Sequence, residues 1–161
     1  MNGVMPWRRN LQPFAWPLYQ AYSRLSRGAT LGVRGLVVDG EGRVLLVEHT
    51  YMAGWFLPGG GVERRETVEH ALAREMQEEA GVRVLGRPQL LGVHANHRVF
   101  RGDHVVFFRI DAWEPCEPAH HQGEILQCAW FAPAALPEGV TDATRRRIDE
   151  VFHGAPVSPH W

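Results

Sequence analysis

Three closely spaced carboxylates are the strongest sign of chemistry in this sequence of 161 residues. The spacing predicts a helix over 68–80, on which Glu75, Glu78 and Glu79 project within roughly a third of the circumference. Ionised carboxylates this close repel one another, and a divalent cation among them removes the repulsion. Oxygen ligands of this kind select hard ions, Mg²⁺ or Mn²⁺, over zinc. The pattern therefore predicts a site for a hard divalent cation.

The residues around these carboxylates can position them and admit a phosphate. Arg74 is adjacent to Glu75 and four residues before Glu78, so its guanidinium can fix the orientation of a carboxylate. The Pro-Gly-Gly-Gly loop at 58–61 lets backbone atoms approach a metal or a phosphate. A metal, a water and pyrophosphate oxygens can then meet for displacement at phosphorus. A glutamate-rich helix face alone is more often a solvated surface, so the spacing of further residues decides the interpretation.

The spacing around the helix matches a known motif. Every specified position of GX5EX7REUXEEXGU, in which U is an aliphatic residue, is occupied. A chance match is on the order of 10⁻⁹ per starting position, from average residue usage. The residues are Gly60, Glu66, Arg74, Glu75, Met76, Glu78, Glu79, Gly81 and Val82. This motif is the Nudix box, and the sequence therefore resembles the Nudix hydrolases.

The resemblance implies a fold and a reaction. Nudix hydrolases are α/β/α sandwiches with a mixed β-sheet, in which the box forms a loop, a helix and a loop. Residues 31–161 would form this domain. The implied reaction is metal-dependent hydrolysis of a phosphoanhydride bond, by attack of water at phosphorus, in a nucleoside diphosphate linked to another moiety. The implied cofactor is Mg²⁺, with Mn²⁺ as the alternative. A capped RNA end is the one nucleic acid that fits, and family members are often homodimers.

The resemblance also implies the metal ligands. Glu75, Glu78 and Glu79 are the expected carboxylate ligands. A backbone carbonyl of the pair Gly59 and Gly60 is a further expected ligand. The attacking water would be activated by Glu75, by Glu78 or by an acid beyond the box.

Supporting roles follow from the same resemblance. Arg74 would orient Glu75, and Glu66 would brace the loop or a metal-bound water. Glu124, just before a predicted strand, is the first candidate for the acid beyond the box, and Glu117 is the second. An exposed loop acid without a role is the alternative for both.

Residues outside the box are candidates for binding the substrate. Trp55 beside the glycine loop can stack on a base, although packing in the core is the more common role of such aromatics. Arg98 and Arg101 can hold phosphate, and a solvated hairpin end is the alternative. The consecutive arginines 145–147 are predicted to lie on the exposed side of the last helix.

Hydrophobic patterns and turn residues predict the elements that position the site. Thr67 is expected to cap the box helix, and Gly81 to end it. The other predicted elements are a hairpin of strands 33–38 and 44–47, a second hairpin of strands 90–93 and 104–110, a strand at 125–131, and a helix from the cap Thr141 to about Phe152.

Residues 1–30 differ from the rest of the chain. They contain several aromatics and arginines, and no acid. Packing of a short helix at Leu18–Arg27 on the domain is the prediction, and the alternatives are a membrane or partner arm and a transit peptide.

Composition limits the remaining possibilities. A net charge of −1 gives no general attraction to nucleic acids or membranes, and all the basic side chains are arginines. Cys116 and Cys128 indicate two thiols rather than a disulfide framework. No apolar stretch approaches the ~20 residues of a membrane span. We therefore expect a cytoplasmic enzyme, with a non-catalytic nucleotide sensor and an isoprenoid diphosphate isomerase as alternatives.

Overall fold

The computed structural model describes residues 28–99, 101–118 and 123–161. The predictions for residues 1–27 lie outside the described residues. In chain order the elements are β1 (Thr30–Val37), β2 (Val44–His49), β3 (Trp55–Phe56), α1 (Val68–Ala80), β4 (Val82–Val84), β5 (Gln89–Ala95), β6 (Asp103–Ile110), β7 (Trp113–Pro115), β8 (Ile125–Phe131) and α2 (Asp142–Phe152). No helix within the described ranges is long and apolar enough to span a bilayer.

The central sheet is mixed. Its strand order is β1-β6-β5, in which β6 runs parallel to β1 and antiparallel to β5. A second sheet, β3-β2-β8, is antiparallel, and β4 pairs with β7. The α/β fold class with a mixed sheet is thus confirmed, as are the predicted second hairpin and the strand at 125–131.

Hydrophobic side chains cover both faces of the central sheet, because successive residues of a strand point to opposite faces. One face packs Val33 and Val106 against Met76 of α1. The opposite face packs Leu36 and Phe107 into a second cluster that includes Ile148 of α2. Each helix is therefore held by its own core, and α1 presents its acidic side beside the first of them.

Both predicted helix starts are confirmed. Thr67 accepts a hydrogen bond from the His70 amide at 3.2 Å, and Thr141 accepts one from the Thr144 amide at 3.3 Å. Gly81 ends α1 in the left-handed conformation with φ of 60°. A side chain at Gly81 would also place its Cβ 2.9 Å from the Cys116 carbonyl oxygen, so glycine is required there.

The first predicted hairpin is wrong beyond its turn. Strands β1 and β2 meet only at an isolated bridge between Val38 and Val44, and then enter different sheets. The reason lies on the free edge of β1, where the Val33 amide donates to the Gly60 carbonyl at 2.8 Å and the Gly35 amide donates to the Pro58 carbonyl at 2.9 Å. The glycine loop therefore occupies the edge of β1 with which β2 would have to pair.

The prediction for the arginines 145–147 is wrong for one of them. Arg145 is exposed and Arg146 is half-buried, but Arg147 has no solvent-accessible surface. The side of α2 that faces the central sheet carries this guanidinium together with Ile148, and its partners come from distant parts of the chain. A run of like charges on a helix cannot reveal such partners.

Candidate active site

The glycine loop places its backbone directly against the carboxylate of Glu75. A Cβ atom built on Gly60 would lie 2.5 Å from Oε1 of Glu75, which is closer than any contact permits. Gly59 has φ of 139°, and a Cβ atom there would lie 2.1 Å from the Val33 carbonyl oxygen. Gly59 needs glycine, because its φ and the backbone of β1 leave no room for a side chain, whereas a side chain at Gly60 would displace the Glu75 carboxylate.

Arg74 joins three of the predicted carboxylates. Its Nε donates to Oε1 of Glu66 at 3.0 Å, and its Nη1 donates to Oε1 of Glu75 at 2.7 Å and to Oε2 of Glu78 at 3.1 Å. Its Nη2 donates to the Gly61 carbonyl at 3.0 Å. One guanidinium thus fixes three acids and the loop in a single arrangement.

Glu66 lies at the outer side of this network. Its Oε2 accepts from the Glu63 amide at 2.9 Å, so the carboxylate connects the loop to Arg74. The hydrogen bond from Arg74 holds the pKa of Glu66 below its ordinary value, and Glu66 in turn contributes most to raising the pKa of Arg74. Both groups are therefore charged at neutral pH.

Glu79 occupies the inner side of the cluster. Its Oε2 accepts from the Gly59 amide at 2.7 Å, and its Oε1 lies 3.9 Å from Nε2 of His49. Burial raises the pKa of Glu79 to about 7, against the lowering effects of the Gly59 amide and the Arg34 charge. Glu79 therefore lies in a poorly solvated part of the site, within reach of the Arg34 charge.

His49 is a site residue that the sequence reasoning did not identify. It is buried at the end of β2, and its Nδ1 has no hydrogen-bond partner among the described residues. Burial, followed by the Arg34 charge, lowers the pKa of His49, so the imidazole is neutral at neutral pH. Its sequence context, the last residue of an apolar strand, gave no sign that it would face a carboxylate.

The donor set fits a hard divalent cation in type and in charge. Glu75, Glu78 and Glu79 carry the carboxylates, and burial together with the charges of Glu75 and Glu124 raises the pKa of Glu79. Within the described residues, no three acidic, histidine or cysteine side chains converge closely enough to ligate a metal together. Arg74 explains this, since it binds one oxygen each of Glu75 and Glu78.

The loop carbonyls differ in availability. The Gly60 carbonyl accepts from the Val33 amide at 2.8 Å and is therefore directed at β1. The Gly59 carbonyl accepts no backbone hydrogen bond from the described parts of the chain. Of the two carbonyls predicted as ligands, that of Gly59 is the better placed.

The structure brings Glu124 to the edge of the cluster. Its side chain is exposed just before β8, and its backbone carbonyl accepts from the Thr50 amide at 2.9 Å. The charge of Glu124 contributes to raising the pKa of Glu79 and opposes the lowering of the pKa of His49, so the carboxylate is near both. Glu117 is exposed in the segment after β7.

A cavity of about 220 Å³ lies on the α2 face of the central sheet, with Arg34 as the link to the carboxylates. Arg34 donates to the Leu57 carbonyl at 2.9 Å, and its charge lowers the pKa values of both Glu79 and His49. Phe56, Leu57, Asn96 and Trp161 also line this cavity. The cavity offers a mostly apolar space of limited size, and one of the side chains that line it is a cation whose charge acts on Glu79.

The predicted substrate-binding residues lie in different surroundings. Trp55 packs edge-on against Phe131, with ring centroids 4.9 Å apart, and contacts the hydrophobic cluster beneath α2. Arg98 and Arg101 are exposed in the turn between β5 and β6, on either side of Val99, which lines the cavity. The sequence reasoning missed Arg34 and Trp161, because one lies in an apolar strand and the other far from the motif.

Comparisons with known proteins place the chain in one family. The profile of the NUDIX domain matches residues 28–152. A protein of Streptomyces ambofaciens named MutT-like protein is 32% identical over 135 residues, which cover 81% of this chain and 80% of the relative. An RNA pyrophosphohydrolase of Hydrogenovibrio crunogenus is 40% identical over 57 residues, or 32% of this chain and 34% of that relative.

A solved structure is similar over most of its length. The crystal structure of the MutT NUDIX hydrolase from Burkholderia pseudomallei superposes with a TM-score of 0.66 and 29% sequence identity. The match covers 77% of this chain and 98% of that one. The arrangement of strands and helices described above is therefore one that a solved hydrolase also has.

Proposed function

Since the chain belongs to the NUDIX domain family, we propose that it hydrolyses a phosphoanhydride bond of a nucleoside diphosphate linked to another moiety, with a hard divalent cation as cofactor. Because it belongs to this family, the chain is a Nudix pyrophosphohydrolase. The cation, the site residues and the substrate class are the proposal. The expected cation is Mg²⁺, with Mn²⁺ as the alternative.

The single observation that carries this proposal is the position of Arg74. Its guanidinium joins Glu66, Glu75 and Glu78 at distances of 2.7 to 3.1 Å, and it also donates to the Gly61 carbonyl of the glycine loop. Three carboxylates on one guanidinium leave an excess of negative charge. A surface that served only for solubility would have no need for this excess at a half-buried position.

The residues of the chain divide the remaining work. Glu75, Glu78, Glu79 and the Gly59 carbonyl would hold the cation, which when bound neutralises charge on the pyrophosphate oxygens. Arg74 keeps the first two carboxylates oriented. The attacking water must lose a proton, and a carboxylate of the cluster or Glu124 at its edge is the acceptor.

Arg34 completes the substrate site in this proposal. Its guanidinium lines the cavity and acts electrostatically on Glu79, so a phosphate beside it would lie between the cavity and the carboxylates. The nucleoside would occupy the cavity, and its diphosphate would extend to the α1 carboxylates. No lysine is present in the chain to serve this purpose.

The decisive experiment is a substrate panel. Nucleoside triphosphates, ADP-ribose, NADH, nucleotide sugars, dinucleoside polyphosphates and capped RNA would each be incubated with Mg²⁺, with EDTA, and with the Glu78→Gln variant. We expect hydrolysis of at least one compound, abolished by EDTA and reduced about 10²- to 10⁴-fold by Glu78→Gln. The Glu69→Gln variant, changed on the exposed side of the same helix, is the control and should retain full activity.

The outcomes separate the rival functions. Metal binding without turnover of any compound would favour a nucleotide sensor. Conversion of an isoprenoid diphosphate without release of phosphate would favour an isomerase, which needs a cysteine at the reaction centre. Turnover that survives Glu78→Gln would show that the site has been assigned to the wrong residues.

A further inference from the structure

The chain after α2 is fixed to the edge of the central sheet. The Ala95 amide donates to the Pro159 carbonyl at 2.9 Å, and the Trp161 amide donates to the Ala95 carbonyl at 2.9 Å. These two bonds form a parallel bridge between Ala95 and His160 beside β5. Residues 154–161, hereafter the C-terminal segment, therefore have a defined register on the sheet.

A buried arginine holds the same segment from inside. Arg147 donates through Nη2 to Glu150 at 2.6 Å and to the His160 carbonyl at 3.3 Å, and through Nη1 to the Ser158 carbonyl at 3.4 Å. Glu150 also accepts from the Ser158 amide at 2.9 Å. Burying a guanidinium is unfavourable unless its hydrogen bonds are satisfied. Here the C-terminal segment supplies two of the acceptors, and Nε of Arg147 has no partner among the described residues.

This scaffold positions the side chain of Trp161. Its ring lies edge-on to Phe107 with centroids 5.6 Å apart, and 5.8 Å from the ring of His94. The guanidinium of Arg147 lies 5.6 Å from the indole centroid. Arg146 donates to the Trp161 carbonyl at 3.0 Å. Three side chains thus contact a ring that also lines the 220 Å³ cavity, and Arg146 holds the backbone of the same residue.

We propose that Trp161 is a specificity-determining residue of the active site, the wall on which the planar base of the substrate stacks. This inference rests on the function proposed above. An indole held by packing can stack on any base with little loss of conformational freedom. Arg34 lines the same cavity, and in this proposal its charge fixes where the phosphates lie.

Asn96 adds a polar contact beside this wall. Its side-chain nitrogen donates to Asp103 at 2.7 Å, so the amide orientation is set, and no side-chain or backbone donor of the described residues binds its oxygen. An amide held in this way can read the edge of a stacked base. The cavity therefore combines a stacking surface with an oriented hydrogen-bonding group.

The first test compares a nucleotide with a substrate that has no base. Steady-state hydrolysis of GTP and of inorganic tripolyphosphate would be measured with Mg²⁺ for the wild type, Trp161→Ala and Trp161→Phe. We expect Trp161→Ala to raise KM for GTP about tenfold with kcat little changed, and to leave KM for tripolyphosphate unchanged. Trp161→Phe should restore most of the affinity. Val157→Ala, an exposed position in the same segment, is the control.

The second test does not depend on turnover. Titration with GMP and AMP should quench tryptophan emission in the wild type, and the quenching should be lost in Trp161→Phe although calorimetry still detects binding. If the wild type hydrolyses none of the compounds, the proposed function fails. Weaker binding of GMP to Trp161→Ala than to the wild type would still support stacking of the base on Trp161.

Three results would overturn the proposal that the base stacks on Trp161. The first is equal affinity for GMP in the wild type and in a folded Trp161→Ala variant. The second is absence of nucleotide binding by the wild type. The third is an equal rise of KM for GTP and for tripolyphosphate in Trp161→Ala. Thermal melting of each variant establishes that it is folded, and Trp161→Phe provides the test if Trp161→Ala is not.

Discussion

Two arginines of this molecule each organise a cluster of charged groups, and the clusters differ in what they leave unsatisfied. The Arg74 side chain is 27% exposed and faces three carboxylates. Arg147 is fully buried and faces one carboxylate, a neutral histidine and backbone carbonyls. The first cluster has an excess of negative charge at an accessible place. The second is nearly neutral and closed, so the first can bind a cation while the second can only hold structure.

The largest effect in this comparison is expected when the buried charge of Arg147 is removed. Arg147→Met leaves Glu150 buried without its partner, and we expect a loss of about 3–5 kcal/mol in the free energy of unfolding. Urea denaturation measures this loss. Adding Glu150→Gln should recover a large part of it, since no unpaired charge then remains.

A small loss in the single variant would show that Arg147 is not the structural centre of its cluster. Failure of the double variant to recover stability would show that the arginine acts through its contacts with the segment 154–161 alone. Either result would weaken the contrast with Arg74.

A change in the Arg74 cluster should lower activity and leave stability almost unchanged. Arg74→Lys retains the charge but not the planar set of donors that reaches Glu66, Glu75 and Glu78 together. We expect kcat/KM to fall about 10- to 100-fold, as for other residues that orient ligands. The free energy of unfolding should change by less than about 1 kcal/mol, because the pairs are partly solvated.

Arg83→Lys is the matched control, because Arg83 forms an exposed pair with Glu114 away from the site. It should leave both kcat/KM and stability unchanged. An unfolding midpoint that falls with Arg74→Lys as far as with Arg147→Met would erase the distinction between the clusters.

The smallest expected effect is the pH dependence of the buried cluster. Nδ1 of His94 lies 2.8 Å from the Ser158 carbonyl, and Nη1 of Arg147 contacts both ring nitrogens, so a second positive charge on the ring is disfavoured. Burial lowers the pKa of His94, and the Arg147 charge lowers it further, against the Ser158 carbonyl and Glu150. The unfolded chain therefore binds a proton that the folded chain excludes.

The sign of the effect follows. Stability is full above the ordinary pKa of histidine, near 6.5, and falls as the pH decreases below it. Between pH 7.5 and 5.5 we expect a loss of about 1 kcal/mol that is absent in His94→Gln, measured by urea denaturation. The same loss in both proteins would assign it to other groups, such as His49, whose pKa burial also lowers.

Sequence reasoning succeeded where the determining interactions are local. The start of α1 at Thr67, its end at Gly81 and the proximity of Arg74 to Glu75 follow from residues a few positions apart. The turn at Asp39 is equally local, since its carboxylate accepts from the amides two and four residues later. These features depend on backbone geometry that short stretches of chain already specify.

Features set by distant residues could not be predicted. The burial of Arg147 depends on acceptors up to thirteen residues away and on His94, 53 residues earlier in the chain. The separation of β1 from β2 depends on the loop around Gly60, which has to reach the free edge of β1. Arg34 and Trp161 share a cavity because the sheet brings them together, and neither belongs to a motif.

The parallel pairing of β1 with β6 has a consequence for how the chain folds. Thr30 pairs with Asp103, 73 residues later, and the glycine loop is bonded to the other edge of β1. Long-range parallel pairing is a slow step, because loop closure precedes the contacts that stabilise it. During synthesis β1, the glycine loop and the whole box would leave the ribosome before β6 does, so the acidic helix should be present before β1 is paired with β6. Binding of the cation should then follow the late pairing of β1 with β6 rather than the formation of α1.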